Sequence, residues 1–414
     1  MSEILKNTKL YLLGIMLLGV TSGAALNLVL FTIPYHLSEA GHGTGTIGAI
    51  FLTGLPYCLK PIWAPFIDRY SVPFLCKRFG QRRGWALLIQ LCLSSSISLL
   101  LFISPSGDIR ITAFIVIIIS FFAAIQDIIL DAYRIERPKT PKELSIATTF
   151  NAVGLRIGML VSSAGALFIS DILGWYFVYL GAFLISLAGP VIIYFLNEPI
   201  VKSRHTTTHL ISLRQYFATL RDSIRMLKAS KPQWPLIMLM ILLYKVSDSV
   251  PMSMSAPFFL NLSFTSYEIA LISKGYGLLV MIFGCTIGGL LLSRIGIERG
   301  FLICGIIQLL SPLAFMFLSM AQHDLLVFLV TTTIQNFASG LAGTALYIYI
   351  SSLCNSEFVA TQFSMISSFN SLARIFLSSS AGLLATHIAW TEFFILTTIL
   401  SSCFVLVYWL VNRD

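Results

Sequence analysis

The sequence predicts an all-α membrane protein of twelve transmembrane helices, arranged as two pseudo-symmetric six-helix bundles. Three observations carry this expectation. Of 414 residues, 57% are hydrophobic and 11% charged, where a soluble domain carries roughly 25% charged residues. Twelve segments are apolar over the length of about 20 residues that a helix needs to cross a bilayer. The longest polar interruption, Asn197 to Gln233, follows the sixth segment, and short motifs recur on either side of it.

In chain order the expected spans are 9–33, 46–66, 84–104, 110–133, 144–169, 174–196, 234–259, 267–292, 300–320, 324–350, 358–385 and 388–411. The first follows Lys6 and Lys9 as a signal peptide would, but its apolar run is longer than the roughly 7 to 15 residues of such a segment, so it is expected to be retained. The second contains GLPYCLKPIWAPFIDRY, in which Pro56, Pro61 and Pro65 remove backbone donors and should bend the helix around Lys60. Between the halves, Leu213, Tyr216, Phe217, Leu220, Ile224 and Leu227 mark an apolar face, and Arg214, Arg221, Arg225 and Lys228 a basic one. That pattern predicts an interfacial amphipathic helix tethering the halves. The chain therefore divides into a bundle over 1–196, a linker over 197–233 and a bundle over 234–414.

Loops that the spans place on one side hold 21 of the 27 basic residues, and those on the other hold Arg110 alone. Lys and Arg collect in cytoplasmic loops, so both termini are expected in the cytoplasm. The bilayer accounts for the net charge of +9 without any nucleic-acid partner. Five basic residues, Lys60, Arg156, Lys245, Lys274 and Arg374, remain inside spans.

The repetition is specific. Arg83-Gly84-Trp85 corresponds to Arg299-Gly300-Phe301, Ala147-Thr148-Thr149-Phe150 to Ala360-Thr361-Gln362-Phe363, and Arg156-Ile157 with Ser162-Ser163-Ala164-Gly165 to Arg374-Ile375 with Ser379-Ser380-Ala381-Gly382. Six helices return the chain to the same side, so the halves are parallel repeats about an axis along the membrane normal, as in major facilitator transporters.

Within that class the first half carries Gly54, Pro56-Tyr57, Lys60, Trp63-Ala64-Pro65, Asp68-Arg69-Tyr70, Arg82-Arg83-Gly84-Trp85, Gln126-Asp127 and Asp131-Ala132-Tyr133-Arg134. The second half carries Tyr244-Lys245 with Asp248, Lys274-Gly275, Leu353-Cys354-Asn355 and Ala360-Thr361-Gln362-Phe363. In these motifs and their order the chain resembles the AmpG-type muropeptide permeases. One departure is that Thr21-Ser22-Gly23-Ala24-Ala25-Leu26 lacks a proline after Ser-Gly. The resemblance implies a proton-driven importer of anhydro-sugar muropeptides in the bacterial inner membrane, with eukaryotic relatives that look like acetyl-coenzyme A transporters. It also implies that Asp68 and Arg69, with Arg82 and Arg83, form a cytoplasmic gate, to which Asp131 and Arg134 at the foot of the fourth span are added.

The charges inside the spans suggest a mechanism. An ionised side chain at mid-membrane costs at least about 2.5 to 3.5 kcal/mol, so each should face a partner or a wet cavity. In the eleventh span Ser367, Asn370, Ser371, Arg374 and Ser378 share one face; in the fifth, Thr149, Arg156 and Ser163 do. Lys245 and Asp248 lie three apart and can pair within one helix. Five bases against the three acids Asp127, Asp131 and Asp248 favour an anionic solute. Lys60, Arg156, Lys245, Lys274 and Arg374, with Asp248 and Gln126, are the expected solute-binding residues. A proton carrier must reach a neutral form, so an acid without a tight basic partner is the better candidate, and by that test Asp127 is expected to carry the proton in preference to Asp248.

The remaining expectations are negative. The seven cysteines show no CxxC spacing, no metal site is expected, and no nucleophile, base and orienting acid fall together, so the chain is not expected to be an enzyme. No cofactor is expected beyond the proton gradient as driving force, and the protein is expected to work as a monomer. The alternatives are a carrier of another anionic solute such as an acyl-coenzyme A, or a membrane receptor that moves nothing.

Overall fold

The computed structural model of the chain describes residues 2–41, 50, 52–103, 107–199, 212–230, 233–354, 357–385 and 387–412. Among them the regular elements are helices. Ten are long and apolar enough to cross a membrane: Thr8–Glu39, Gln81–Phe102, Ile109–Glu136, Pro141–Leu173, Trp175–Phe195, Trp234–Ser255, Leu271–Ile295, Ile297–Ala321, Leu325–Leu353 and Trp390–Val411. These are the expected spans other than the second and the eleventh.

The two exceptions have physical causes. Residues 46–49 and 51 of the second span lie outside the described residues; its later part is broken into Leu55–Cys58 and Lys60–Arg69, joined at Leu59. Pro61 has no N–H to continue the ladder, and Pro65 interrupts it again within the second piece. The eleventh span is one helix of 27 residues, Val359–Ala385. Its length is sufficient, but Thr361, Gln362, Ser364, Ser368 and Asn370 are buried polar residues on its first half. A helix this polar is stable in a membrane only when protein or water covers that face.

The chain forms two compact units: residues 1–139, 150–225 and 354–368 make the first, and 140–149, 226–353 and 369–414 the second. In the first, Leu28, Val29, Ile33, Leu93, Ile97, Val116 and Ile119 form an aliphatic core. Its first and fifth spans touch backbone to backbone. A Cβ on Gly23 would lie 2.1 Å from the carbonyl oxygen of Leu155, and one on Gly154 2.0 Å from that of Met16. Small residues permit such approach, and van der Waals packing makes it favourable in lipid. Both helices then widen into π-helical turns, Leu28–Thr32 and Val161–Gly165, where the Thr32 hydroxyl donates to the Ser162 carbonyl. The core of the second unit is aromatic, with Phe258, Phe259, Phe315, Phe328 and Phe394 in mutual ring contact.

The connection between the halves contains the expected amphipathic helix, Leu213–Ser230. Its innermost residues are Thr219 and Ser223, whereas Phe217 is exposed. Ser223 offers its carbonyl to the Gln362 side chain at 3.1 Å, and Tyr216 packs against Phe66. The helix thus meets protein through a small polar strip flanked by its apolar residues.

Candidate functional site

In the first unit, three spans converge on one carboxylate. Pro61 and the break at Leu59 begin the second piece of the second span at Lys60, whose ammonium pairs with Asp127 Oδ2 on the fourth span and lies 5.3 Å from the Tyr57 ring centre. Asp127 Oδ1 accepts from the Ser22 hydroxyl of the first span at 2.9 Å. Beside it the Gln126 amide donates to Thr21 Oγ1 at 3.3 Å. Thr21 and Ser22 belong to the stretch whose missing proline separates the sequence from its resemblance, and here they hold the Gln126-Asp127 motif. The pair is not fully enclosed by protein: the side chains of Lys60 and Asp127 are 12% and 23% exposed.

The second unit contains a counterpart. Lys245 pairs with Asp248 within the seventh span, at 17% and 18% side-chain exposure, and Asp248 Oδ1 accepts from Ser339 of the tenth span at 2.7 Å. Tyr244 next to them donates to the Ala342 carbonyl and stacks on Phe301 at 4.4 Å. In each half, therefore, a serine and an aspartate join the first helix to the fourth. The two residues exchange helices between the halves.

At the basic end of the first unit lies a different cluster. Arg82 is wholly buried, with Nη2 2.7 Å from Asp68 Oδ1 and 2.5 Å from Glu136 Oε1, and Nε 3.1 Å from both Glu136 oxygens. The other oxygen of Asp68 accepts from the backbone N–H of Thr361 at 2.9 Å and from its hydroxyl at 2.7 Å. Asp68 thereby caps the start of the eleventh-span helix, where orphan N–H groups and the helix dipole favour an anion. Arg69 lies over the Phe358 ring at 4.9 Å, and Arg134, bonded to Asp131 at 2.7 Å, over Phe363 at 5.5 Å. Glu198 caps the third-span helix, accepting from the backbone N–H of Arg82 and of Arg83 at 2.8 and 2.9 Å. Arg83 itself reaches the carbonyls of Ile193 and Tyr194.

The structure thus brings Lys60, Gln126 and Asp127 together, Lys245 with Asp248, and Asp68, Arg82 and Thr361 into one latch. Arg156 stands apart from these groups: it is half-buried, its guanidinium lies 3.8 Å from the Met159 sulfur, and it makes no ion pair among the described residues. The side chains of Lys274 and Arg374 lie outside the described residues. One premise is corrected. Asp127 was expected to lack a tight basic partner, but Lys60 pairs with it as closely as Lys245 does with Asp248, so pairing does not rank the two carboxylates. Glu136, Glu198, Ser22 and Ser339 were not anticipated. The spacing of Glu136 two residues beyond Arg134 was the one available signal, and it looks like an ordinary loop charge.

Comparison with known proteins agrees with this architecture. Residues 12–376 match the sequence profile of the Major Facilitator Superfamily. A Rickettsia typhi protein named AmpG 3 is 52% identical over 406 residues, covering 98% of this chain and 97% of that one. The anhydromuropeptide permease of Escherichia coli K12 is 32% identical over 384 residues, 92% of this chain and 75% of that protein. In three dimensions a bacterial homologue of the iron transporter ferroportin, solved in an outward-facing state, superposes with a TM-score of 0.71 at 15% identity, covering 98% of this chain and 99% of that one. The fold, the paired charges within its helices and the full-length similarity place this chain in the AmpG-type permease family of the major facilitator superfamily, as a multi-pass membrane transporter.

Proposed function

We propose that this transporter imports anionic anhydromuropeptides across the bacterial inner membrane by alternating access, driven by the proton gradient. The observation that carries the reading is Arg156: a half-buried guanidinium in a span, with no carboxylate beside it among the described residues. Such a charge is expensive in a membrane unless a solute anion or water meets it. The other in-span cations with described side chains already have aspartates, so Arg156 is the first contact for an incoming carboxylate. Lys60, Lys245, Lys274 and Arg374 supply further positive charge, with Gln126 next to Asp127 in the first unit and Asp248 beside Lys245 in the second. The 32% identity to a protein named anhydromuropeptide permease supports the solute class.

Asp127 carries the proton in this reading, becoming neutral when Lys60 is drawn away. Asp68, Arg69, Arg82, Arg83, Asp131 and Arg134 form the cytoplasmic gate, with both termini on that side. The transporter works as a monomer without a bound cofactor. Reconstituted vesicles tested with labelled anhydromuropeptide should accumulate it when a proton gradient is imposed and lose the accumulation when an uncoupler is added. Saturable binding without accumulation would instead make the protein a receptor, and accumulation outcompeted only by acyl-coenzyme A would reassign the solute.

A further inference from the structure

The two lysine–aspartate pairs invite a comparison with the latch. Arg82, Asp68 and Glu136 show no side-chain exposure, whereas Lys60, Asp127, Lys245 and Asp248 all show some. A lysine with four rotatable bonds can leave its carboxylate for another anion at modest cost only where water reaches both partners. The carboxylate that is left behind still needs a hydrogen-bond partner, or it is stranded in the membrane interior. Each aspartate has one from a different helix than its lysine: Ser22 for Asp127 and Ser339 for Asp248.

We infer that the protein has two equivalent coupling carboxylates, one in each unit, and that each is loaded by ion-pair exchange. In the first unit an anionic group takes Lys60 from Asp127, and in the second an anionic group takes Lys245 from Asp248. Each released aspartate binds one proton, so at each pair positive charge is again matched by negative charge and one anionic group enters with one proton. Ser22 and Ser339 are positioning residues that hold each carboxyl in place through both protonation states, since a hydroxyl can donate to the carboxylate and accept from the acid. Other titratable groups lie close by. Tyr57 and Asp131 neighbour Asp127, the former under Lys60 and the latter one turn along the fourth span. Tyr244 neighbours Asp248 and is bonded to the Ala342 carbonyl.

The inference rests on the proposed anionic solute for its flux measurement and on nothing but the protein for its spectroscopic one. In proteoliposomes with a trapped pH indicator, the wild type should take up two protons per labelled anhydromuropeptide, Asp127→Asn and Asp248→Asn one each, and the double variant none. A ratio unchanged from wild type in either single variant overturns the twin-site scheme. Without any solute, pH-difference infrared spectra should contain one protonated-carboxyl band that is lost in Asp127→Asn and a second that is lost in Asp248→Asn. Ser22→Ala should shift the Asp127 band alone and Ser339→Ala the Asp248 band alone, and Lys60→Gln should enlarge the Asp127 band at neutral pH without touching the other. No band lost in either Asp→Asn variant, or assigned bands indifferent to the serines, overturns the inference even if transport is normal. If the bands and serine shifts are present but anhydromuropeptide neither moves nor changes them, the solute assignment falls and the two coupling sites stand.

Discussion

Replacing Asp68 by Asn should release the start of the eleventh span, and the structure sets the size of the effect. One oxygen of Asp68 faces Arg82 Nη2 at 2.7 Å; the other faces the Thr361 N–H at 2.9 Å and the Thr361 hydroxyl at 2.7 Å. In asparagine one of these oxygens becomes an NH2 group. Turned toward Arg82 it opposes a cation, and turned toward Thr361 it opposes an N–H donor. Hydrogen bonds to a charged group contribute about 1.5–3 kcal/mol each, and breaking a buried ion pair by removing one charge costs about 3–5 kcal/mol. Taking about 3 kcal/mol for the contacts to Thr361 alone, at 1.4 kcal/mol per factor of ten, the released state rises on the order of 100-fold. Cys354 reports it without an added label. Its thiol lies near Asp68, Asp131 and Arg134, and burial holds it well above the ordinary thiol range, so little reactive thiolate is present in the latched state. The assay is the rate of Cys354 alkylation in lipid vesicles, read by mass spectrometry of the Cys354 peptide. Asp68→Asn should accelerate it by about 100-fold, and Thr361→Val, which removes the hydroxyl but keeps the backbone bond, by about tenfold. An alkylation rate within a factor of two of wild type in a folded Asp68→Asn protein would refute the idea that this carboxylate holds the helix.

Three further outcomes are expected. Arg156→Gln should lower uptake at least tenfold with unchanged abundance in the membrane, measured by transport and immunoblot together; normal uptake removes Arg156 from solute binding. Gly154→Val should destabilise the fold by about 1–3 kcal/mol, because the first and fifth spans must part by roughly 1 Å to admit the side chain, and a thermal unfolding midpoint equal to wild type would contradict the close packing. Gly80→Ala should cost about 1–3 kcal/mol, since φ +92 with ψ 168 is a glycine conformation and a Cβ there would lie 2.4 Å from Glu198 Cδ. Glu198→Ala in the same background should then add less than it does alone, which a double-mutant cycle on the unfolding midpoint measures.

Hydropathy and proline chemistry made most of the fold legible. The long spans need only a local apolar run, and the break around Lys60 follows from three local prolines. The Lys245–Asp248 pair was legible for the same reason: its partners are three residues apart on one helix. Lys60 and Asp127 are separated by 67 residues, Arg82 and Glu136 by 54, and Arg82 and Glu198 by 116. Helical periodicity says nothing about pairs on different helices, and the choice of Asp127 as an unpaired acid failed on this point. Glu136 ends the fourth-span helix and Glu198 lies just past the sixth, where sequence alone cannot separate a partnered carboxylate from a solvated one. Ser22 was visible only as part of a stretch that departs from its family, and its function emerges once the first span is seen against the fourth.

The exposure of each pair separates charges that brace the protein from charges that can change partner, and the latch shows why the distinction is physical. Arg82 faces two buried carboxylates, Asp68 and Glu136, in a low-dielectric environment. The start of the eleventh span also stabilises Asp68, because a helix N-terminus acts as roughly +0.5 of a charge and presents its Thr361 N–H directly to that carboxylate. Lifting that helix away therefore leaves more than a broken hydrogen bond: it strips one buried carboxylate oxygen of both its donors and of the helix dipole, and that oxygen must find water. Such a cluster stays closed until water can enter, whereas the Lys60–Asp127 and Lys245–Asp248 pairs, partly exposed and each steadied by a serine, can open one bond at a time. In a transporter the first behaviour suits a gate and the second suits a site that exchanges ions.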